Sequence, residues 1–484
     1  MSNNNQKTAC IIGGGMSGLF TGALLAKNGY KVTVLEKNHI IGGGLQSFRR
    51  GDAVFNTGMQ TFAGYSPNMI CNGFFNYLGI NNNLRIMPTN SNVQEIIWMD
   101  DKSFVSLPKG REAYQNYLID LFPNEKVGIL MLIDTIFNIG HTYDYLFLRQ
   151  VQLHPETIKF AYMSADSFIH QYIKDEKLIS IFSYIGWTTG HNLSAMPALE
   201  FCMMLTLYIQ GSYRFIGGSK ILVESLNNII YNAGGQIINN TTITDIEIIE
   251  NKVISVASQN KKWSADYFIW ACSPKILLNI TDYPIFRSSM TNRIKEYKNS
   301  FSCSIIFCKL KKHTFKFINS AIYIPLFSPK KVFPQSLLLV TDPLEENQQW
   351  ANTLDIYIPS SIDDFTQWND TTLGLRGSEY EHYKSQFAEN ILNYISLYYP
   401  SIKENIDFYE VSTPLTIRDY YGNPNGACYG QQGIYIPIKT KISNLFMAGQ
   451  AIQNQGIAGI ATTSIFLTET ILRRSLIEEI AVAK

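Results

Sequence analysis

The sequence predicts an α/β fold in which a domain built on a parallel sheet is interrupted by two insertions that form a second, α+β domain. Three observations support this prediction. Residues 8–36 read as strand, glycine turn, helix and strand, which is the order of a βαβ unit. Glycine-rich strand and helix segments return at 208–248 and at 444–474. The stretches between them lack this pattern, and 484 residues leave room for two or three domains.

The first unit follows from its local pattern. TACII at 8–12 is a short apolar run typical of a buried strand, and KVTVLE at 31–36 is rich in β-branched residues. SGLFTGALLAKNG at 17–29 predicts a helix that ends at Gly29, because glycine readily takes the left-handed conformation that closes a helix. These elements predict two neighbouring parallel strands with a helix between them.

The turn of this unit has the GxGxxG spacing, at Gly13, Gly15 and Gly18. The first glycine permits a tight turn, the second lets a pyrophosphate approach the backbone, and the third lets the helix pack on the sheet. The N–H groups of Met16 and Ser17 at the helix start, together with the helix dipole, favour a phosphate. The motif alone is a weak signal, but between a strand and a helix it predicts a Rossmann-type dinucleotide-binding domain.

Glu36 ends the second strand of the unit, eighteen positions after Gly18. A carboxylate there can accept hydrogen bonds from both hydroxyls of an adenosine ribose, and it would repel a 2′-phosphate. We therefore expect an adenine dinucleotide other than NADP, with Glu36 and the adjacent Lys37 at its ribose.

Composition excludes several other classes of protein. Forty basic and thirty-nine acidic residues give a net charge of +1, which argues against capture of nucleic acid. Seven scattered cysteines without a CxxC pair, and seven histidines without ligand spacing, predict neither a disulfide framework nor a metal site.

The longest apolar stretch, 127–140, is too short to cross a bilayer, and the polar N-terminus lacks the layout of a secretion signal. We therefore expect a cytoplasmic protein. The basic run KLKKHTFK at 309–316 is interpreted as a solvated strand or loop edge, with peripheral membrane contact as the alternative. The oligomeric state stays open.

A second glycine cluster in EKNHIIGGGLQSF at 36–48 separates two kinds of dinucleotide, because a plain NAD domain does not need it. Here the sequence resembles the flavin amine-oxidase and phytoene-desaturase superfamily, in which an E-(x)5-GG pattern follows the first βαβ unit. The resemblance implies FAD, with Gly42 and Gly43 close to its pyrophosphate and ribityl chain. Relatives often carry Arg or another polar residue next, whereas this chain has Gly44 and Leu45, so we expect backbone amides to hold more of the phosphate.

The resemblance continues in three further segments. VFNTGMQTFAG at 54–64 is similar to a family segment that passes near the flavin, but Asn56 and Gln60 replace its usual Asp and His, which puts in doubt any mechanism that needs an ionised side chain there. The segment 208–235 resembles the chain's return to the FAD domain. The strand expected at 238–248 contains Ile243, whose backbone the resemblance places beside the adenine.

Near the C-terminus, NLFMAGQAIQNQGIAGIATTSIFLTETILRR at 444–474 resembles the closing FAD motif. The resemblance implies that Gly449 and Gln450 lie at the pyrophosphate. We expect a helix to begin at Gly456, Ile457 and Ala458, with free N–H groups that stabilise negative charge on the reduced flavin.

The segment TPLTIRDYYGNPNGACYG at 413–430 is similar to phytoene desaturases, carotenoid isomerases and all-trans-retinol saturases rather than to amine oxidases. Gln450 is typical of the retinol-saturase branch, so saturation is favoured over desaturation.

The FAD motifs occupy three pieces, 1–75, 205–285 and 405–484. The insertion 76–204 has helical apolar periodicity, and 286–404 alternates like strands before it ends in a helix. By resemblance, the two insertions form the substrate domain. Both are dense in apolar and aromatic residues, which favours a lipophilic, polyene-like substrate, although such residues are also ordinary core. The candidate pocket residues are Gln60, Trp187, Tyr213, Arg418, Tyr420 and Tyr421, whereas His191 is interpreted as structural.

The resemblance therefore implies an FAD-dependent oxidoreductase that acts on carbon–carbon bonds of a lipophilic small molecule. No catalytic side chain can be assigned, and the electron donor or acceptor is unidentified. Two alternatives remain: an amine-oxidase-like or protoporphyrinogen-oxidase-like flavoenzyme, and a non-enzymatic lipid-binding protein similar to the GDI and Rab escort proteins.

Overall fold

The computed structural model describes residues 6–58, 60–259, 261–326, 333–430, 435–450 and 455–483. Its first sheet has five strands, and every pair of neighbours is parallel. Both faces of the sheet are covered, which is why its strands are almost wholly apolar. Across the sheet the strands are Gln236–Ile238, Lys31–Leu35, Thr8–Ile12, Tyr267–Trp270 and Leu445–Met447.

Helices cover one face of this sheet, where Ile11, Val34 and Ile269 point. The predicted first helix is confirmed as Met16–Lys27, and Gly29 has the expected left-handed conformation, with φ of 85°. The helices of this layer are Met16–Lys27, Ile70–Leu78, Lys220–Asn232, Gly456–Leu472 and Ile477–Val482.

The opposite face, with Cys10, Phe268 and Met447, packs on a smaller layer. This layer contains the antiparallel strands Asp245–Ile249, Lys252–Ser258 and Lys261–Trp263 and the helices Pro274–Asn279 and Ser288–Glu296. The single strand expected over 238–248 is therefore wrong. The chain leaves the first sheet after Ile238 and starts a new strand at Asp245. Between them the N–H of Thr241 donates a hydrogen bond to the carbonyl oxygen of Glu36 at 2.8 Å, which turns the chain back toward the second strand.

The second large sheet of the protein has seven strands, and the alternation in 302–310 and 336–342 predicts strands there. Its neighbours are antiparallel except for the parallel pair 321–325 and 95–98. Across the sheet the strands are Ile406–Ser412, Ser302–Leu310, Thr353–Ser360, Ser336–Thr341, Ala321–Pro325, Glu95–Trp98 and Phe104–Leu107.

The two faces of this large sheet meet different surroundings. Leu337 and Leu339 point to a core formed with the helix Ser378–Ile395, whereas Leu338 and Val340 point to the other side, which faces the first sheet. Because side chains alternate along a strand, each strand of this sheet contributes to both surfaces.

A block of helices lies beside the large sheet, in agreement with the helical periodicity of the first insertion. The helix Ala198–Gln210 is buried on nearly all sides and packs on Lys126–Gly140, the longest helix of the block. The helices of the block are Arg111–Leu121, Lys126–Gly140, Ile158–Tyr162, Ala165–Ile169, Glu176–Ile181, Gly186–Thr189 and Ala198–Gln210.

Short elements connect the layers. Two small antiparallel groups are formed by Ser47–Arg50 with Ala53–Asn56, and by Phe62–Ala63, Ser212–Phe215 and Ile86–Pro88. The remaining helices are Ile402–Asn405 and Pro414–Tyr421, and the second begins with a capping box between Thr413 and Thr416.

The strand Ile406–Ser412 pairs with 302–310 in the large sheet, although the sequence assigns 405–484 to the dinucleotide domain. The domain limits otherwise stay a prediction. In the described residues no helix is both long and apolar enough to cross a membrane. Lys309 corrects the interpretation of 309–316 as wholly solvated, because its buried ammonium lies 3.3 Å from Asp52. Peripheral membrane contact stays a prediction.

Candidate functional site

A cavity of about 410 Å³ lies between the carboxyl ends of the first sheet and the near face of the large sheet. Ligands of α/β proteins bind at this edge of the sheet. One end of the cavity is lined by the glycine turns, and the other end is lined by apolar and aromatic side chains.

The first glycine turn leaves no room for side chains except toward the cavity. Gly13 has φ of 110°, and a Cβ atom there would lie 2.7 Å from the sulfur of Cys272. A Cβ atom on Gly18 would lie 2.0 Å from the carbonyl oxygen of Gly13, so the helix can approach the turn only without it. A Cβ atom on Gly15 would meet nothing within 4 Å and would project into the open space that a pyrophosphate needs.

The second glycine cluster packs on the first. The N–H of Gly42 donates to the carbonyl oxygen of Gly14 at 2.8 Å, and Gly42 has φ of 117°. A Cβ atom on Gly43 would lie 3.1 Å from the Cα atom of Gly15. The two clusters therefore form one cradle of bare backbone, and this cradle fits the diphosphate of a dinucleotide.

Glu36 is buried at the rim of the cradle. Its carboxylate accepts hydrogen bonds from the backbone N–H of Gly14 at 2.7 Å and of Asn38 at 2.8 Å. A carboxylate has about four acceptor sites, so two remain for hydroxyl donors. Lys37 points away from this carboxylate and donates to the carbonyl oxygen of Asp419 at 2.6 Å. Lys37 thereby ties the rim to the helix 414–421.

The C-terminal segment closes the cavity. Gly449 has φ of 129°, and the side-chain amide of Gln450 donates to the carbonyl oxygen of Cys428 at 3.0 Å. The helix that begins at Gly456 has no side-chain cap at Gln455. Its first N–H groups therefore lack helical acceptors and lie at the cavity wall, where they favour a negatively charged ligand group.

Most of the predicted cofactor residues meet at this cavity. Gly18 and Gly42 are not part of its lining, and both glycines allow close packing of the backbone instead. Residues 451–454 lie outside the described residues. The contacts of all these residues with a cofactor stay predictions. The residues that line the cavity are Gly13, Gly15, Met16, Ser17, Glu36, Lys37, Gly43, Gly44, Leu45, Ile243, Gly449, Gln450, Gly456, Ile457 and Ala458.

Among the predicted substrate residues, Gln60, Trp187, Tyr420 and Tyr421 line the cavity. Arg418 does not: it lies on the far side of the helix 414–421, where Nε donates to the carboxylate of Asp419 at 2.9 Å and Nη1 to the carbonyl oxygen of Asn369 at 3.0 Å.

Tyr213 is also absent from the cavity lining, because its hydroxyl lies on the side of Ser66, at 3.0 Å, and its ring packs on Tyr65. The buried His191 lies outside the lining, with Nδ1 3.6 Å from the carboxylate of Glu200. Neither side chain is positioned to touch a ligand in the cavity.

The apolar end of the cavity contains residues that the sequence did not single out. They come from the helix 198–210 and from alternate positions of the large sheet. The alternation of 336–341 indicates two faces in the sequence, but it does not indicate which face borders a cavity. We call this set the apolar wall, and it consists of Phe62, Met203, Met204, Leu207, Tyr208, Phe301, Tyr323, Leu338, Val340 and Tyr357.

A buried polar cluster supports the apolar wall from behind. The side-chain amide of Gln60 donates to Asp355 at 3.3 Å and to the hydroxyl of Tyr357. Arg214 Nη2 lies 3.8 Å from Asp342, whose carboxylate also shares a hydrogen bond with Asn56. Asn56 and Gln60 stand where relatives carry Asp and His, and here the large sheet supplies carboxyl groups to both.

Burial sets the charge of this cluster. Desolvation raises the pKa of Asp355 well above its ordinary value, and the nearby Asp342 raises it further. Desolvation also raises the pKa of Asp342, but Arg214 opposes that shift, and burial lowers the pKa of Arg214 to about 10. Of the two carboxyl groups, Asp355 is therefore the one that burial drives more strongly toward its neutral form.

Comparisons with known proteins agree with this geometry. Residues 11–78 match the model of the NAD(P)-binding Rossmann-like domain. The chain is 22% identical to the all-trans-retinol 13,14-reductase of Rattus norvegicus, over 98% of this chain and 86% of that protein. It is 24% identical to a chloroplastic prolycopene isomerase of an Oncidium hybrid cultivar, over 94% of this chain and 82% of that protein.

Solved structures show the same fold. An oxidoreductase from Methanosarcina mazei superposes with a TM-score of 0.68 at 14% identity, over 96% of this chain and 100% of that chain. A variant of putrescine oxidase superposes with a TM-score of 0.66 at 14% identity, over 97% and 99% of the two chains.

The fold and the relatives define an oxidoreductase with a Rossmann-type dinucleotide-binding domain. The predicted fold class is confirmed. Within that class, the chain is similar over nearly its whole length to retinol reductases and prolycopene isomerases, which confirms the resemblance drawn from the sequence.

The two glycines of the first turn separate packing from ligand binding. We expect Gly18→Ala to lower the free energy of unfolding by about 1–3 kcal/mol, because its Cβ atom overlaps the carbonyl oxygen of Gly13. Gly15→Ala is the matched control, and we expect it to leave stability within about 0.5 kcal/mol but to weaken dinucleotide retention. Denaturant unfolding and the cofactor content of the purified variants measure the two effects. Equal stability of both variants would contradict this assignment.

Glu95, in the large sheet, is buried beside Tyr323 of the apolar wall, and desolvation raises its pKa from 4.5 to about 8. The folded state therefore keeps a proton that the unfolded chain releases, so the free energy of unfolding falls as pH rises from 4.5 to about 8. We expect the free energy of unfolding of Glu95→Gln to fall less steeply in this pH range than that of the wild type, by up to about 1.4 kcal/mol per pH unit. Denaturant unfolding at pH 5, 6.5 and 8 measures it, and parallel pH profiles of the two proteins would refute the assignment.

Proposed function

We propose that the protein is an FAD-dependent oxidoreductase that acts on carbon–carbon bonds of a lipophilic polyene. One observation carries this proposal: a single cavity joins the bare glycine cradle to the apolar wall. The redox group and an extended apolar substrate can therefore lie in contact in one enclosed space.

FAD is favoured over NAD by the extent of the cradle. A nicotinamide dinucleotide needs the first glycine turn, whereas this cavity also includes Gly43, Gly449 and the helix start at Gly456. These positions come from two separated parts of the chain, and they support a longer prosthetic group held along its length. A bound flavin would supply hydride transfer to or from carbon.

The chain's own residues then position the two ligands, favour negative charge at one end of the cavity and exclude water from it. Glu36 holds the adenosine end, and the uncapped helix start at 456 favours negative charge at the other end. The apolar wall excludes water and orients a long hydrocarbon chain against the reactive group. Among the residues that line the cavity, Glu36 is the acidic one, so the apolar wall offers no counter-ion for an amine substrate. This composition favours a polyene over the amines that putrescine oxidase binds.

Tyr357 is the group that we propose to hold a proton for the substrate. Saturation of a double bond needs a proton in addition to a hydride, and the hydroxyl of Tyr357 lies on the apolar wall. Gln60 donates a hydrogen bond to that oxygen, which leaves the hydroxyl proton of Tyr357 free to point into the cavity.

A substrate panel tests the proposed function. We expect purified protein to be yellow and to release FAD on denaturation. After its flavin is reduced with dithionite under anaerobic conditions, we expect it to convert all-trans-retinol or prolycopene with a change in the polyene absorption spectrum. Putrescine and protoporphyrinogen serve as the controls for the amine-oxidase-like alternatives. Colourless protein that retains a lipid would favour the non-enzymatic binding protein instead, and turnover of putrescine would overturn the polyene assignment.

The proton role of Tyr357 has its own test. We expect Tyr357→Phe to lower the rate of polyene saturation by about 100-fold or more, while FAD content and polyene affinity stay unchanged. Tyr323→Phe is the matched control, because that phenol lies on the same wall but is hydrogen-bonded to Glu95. Single-turnover rates and solvent isotope effects measure the difference. Equal rates for the two variants would exclude Tyr357 as the proton donor.

A further inference from the structure

We propose that Cys303 and Cys428 form a redox-active dithiol/disulfide pair in the wall of the cavity, which exchanges two electrons with a small dithiol and with the flavin. The pair would be the route by which reducing equivalents enter or leave the site. The proposed function leaves that route open.

The geometry of the two sulfur atoms supports the pair. They lie 3.5 Å apart, although the residues are separated by 125 positions in the sequence. Both residues line the cavity. Cys303 is 3% exposed, whereas Cys428 is only partly buried. Cys428 is therefore the sulfur that a small thiol reagent entering the cavity can reach, and Cys303 is the sulfur that completes the bond.

The backbone holds the two segments side by side. The N–H of Cys428 donates to the carbonyl oxygen of Phe301 at 3.0 Å, and the hydroxyl of Ser302 donates to the carbonyl oxygen of Gly426 at 2.6 Å. Gln450 anchors the carbonyl oxygen of Cys428 from the cofactor side at 3.0 Å. A disulfide bond is about 2.05 Å long, so side-chain rotation has to bring the sulfur atoms about 1.5 Å closer. The hydrogen bonds that join the two segments can stay in place during that rotation.

Cys272 also lines the cavity, but its thiol donates to the carbonyl oxygen of Ile12 at 3.3 Å. Cys308 lies on the same strand as Cys303, five positions after it. It therefore points to the opposite face, where it is buried in the core behind the large sheet. Strand alternation thus selects Cys303 for the cavity and supplies Cys308 as a matched control.

The redox steps of the pair balance with no reagent other than the flavin and the small dithiol. The hydrogen bond that the thiol of Cys303 donates to Cys428, together with burial, raises the pKa of Cys303 well above its ordinary value, so this thiol stays protonated in the reduced pair. Oxidation forms one S–S bond and releases two protons and two electrons, which are the two electrons and two protons that full reduction of a flavin consumes. In the return step, a small dithiol cleaves the S–S bond by two thiol–disulfide exchanges and leaves as its own disulfide.

The first experiment tests the pair without any need for flavin. The holoprotein and cofactor-free protein are equilibrated in mixtures of dihydrolipoamide and lipoamide, then unfolded, alkylated and mapped by mass spectrometry. We expect a 303–428 cross-link in both forms, with the loss of two of the seven free thiols in the oxidised mixtures. Cys303→Ala and Cys428→Ala should each abolish that loss, whereas Cys308→Ala should retain it. Free thiols at 303 and 428 in every mixture, or a cross-link between other cysteines, would overturn the proposal.

The second experiment tests exchange with the flavin and rests on the proposed function. Under anaerobic conditions, dihydrolipoamide should bleach the flavin absorbance of the wild-type holoprotein and of Cys308→Ala at least tenfold faster than that of Cys303→Ala. Equal rates would show that the pair is not the route of electrons to the flavin. If the purified protein holds no flavin, the proposed function fails in this experiment while the cross-link map still decides whether the pair forms.

Discussion

The structure depends on the close approach of bare backbone segments at the carboxyl edge of the parallel sheet. Gly18 lets the first helix contact the turn at Gly13, and the second cluster hydrogen-bonds to that turn through Gly42. A Cβ atom at these positions would push the segments apart, because a close-packed interior has no spare volume to absorb it. This contact also orients the groups that depend on it: the buried carboxylate of Glu36, the tie from Lys37 to the helix 414–421, and the floor of the cavity.

The large sheet serves two surroundings at once. Odd and even positions of the strand 336–341 alternate between a dry core against the helix 378–395 and the wall of the cavity. The same alternation places Cys303 in the cavity wall and Cys308 in the core. A single sheet therefore supplies both stability and the apolar end of the site. A change of strand register by one residue would exchange the two faces.

The buried polar cluster opposes the stability of this sheet. Asp355 and Arg214 are almost fully buried, and desolvation shifts the pKa of each toward its neutral form. Such groups are costly unless they are paired, and natural proteins break the rule of an apolar interior chiefly at functional sites. The cluster ends at Gln60 and Tyr357 in the cavity wall, which links its cost to the chemistry proposed there.

The sequence by itself determined the dinucleotide fold, because the glycine turns, helix starts and strands around Gly13, Gly43 and Gly456 are local patterns of a few residues. It also indicated the helices of the first insertion, 76–204, but not the strands Ile86–Pro88, Glu95–Trp98 and Phe104–Leu107 within it. Only the tertiary structure decided which distant side chains meet. Helical phase turned Arg418 away from the cavity while Tyr421 faces it, and the packing of loops on the large sheet brought Gln60 against Asp355 and Cys428 beside Cys303. Local sequence encodes backbone conformation, whereas a site assembled from residues hundreds of positions apart depends on packing that no short pattern contains.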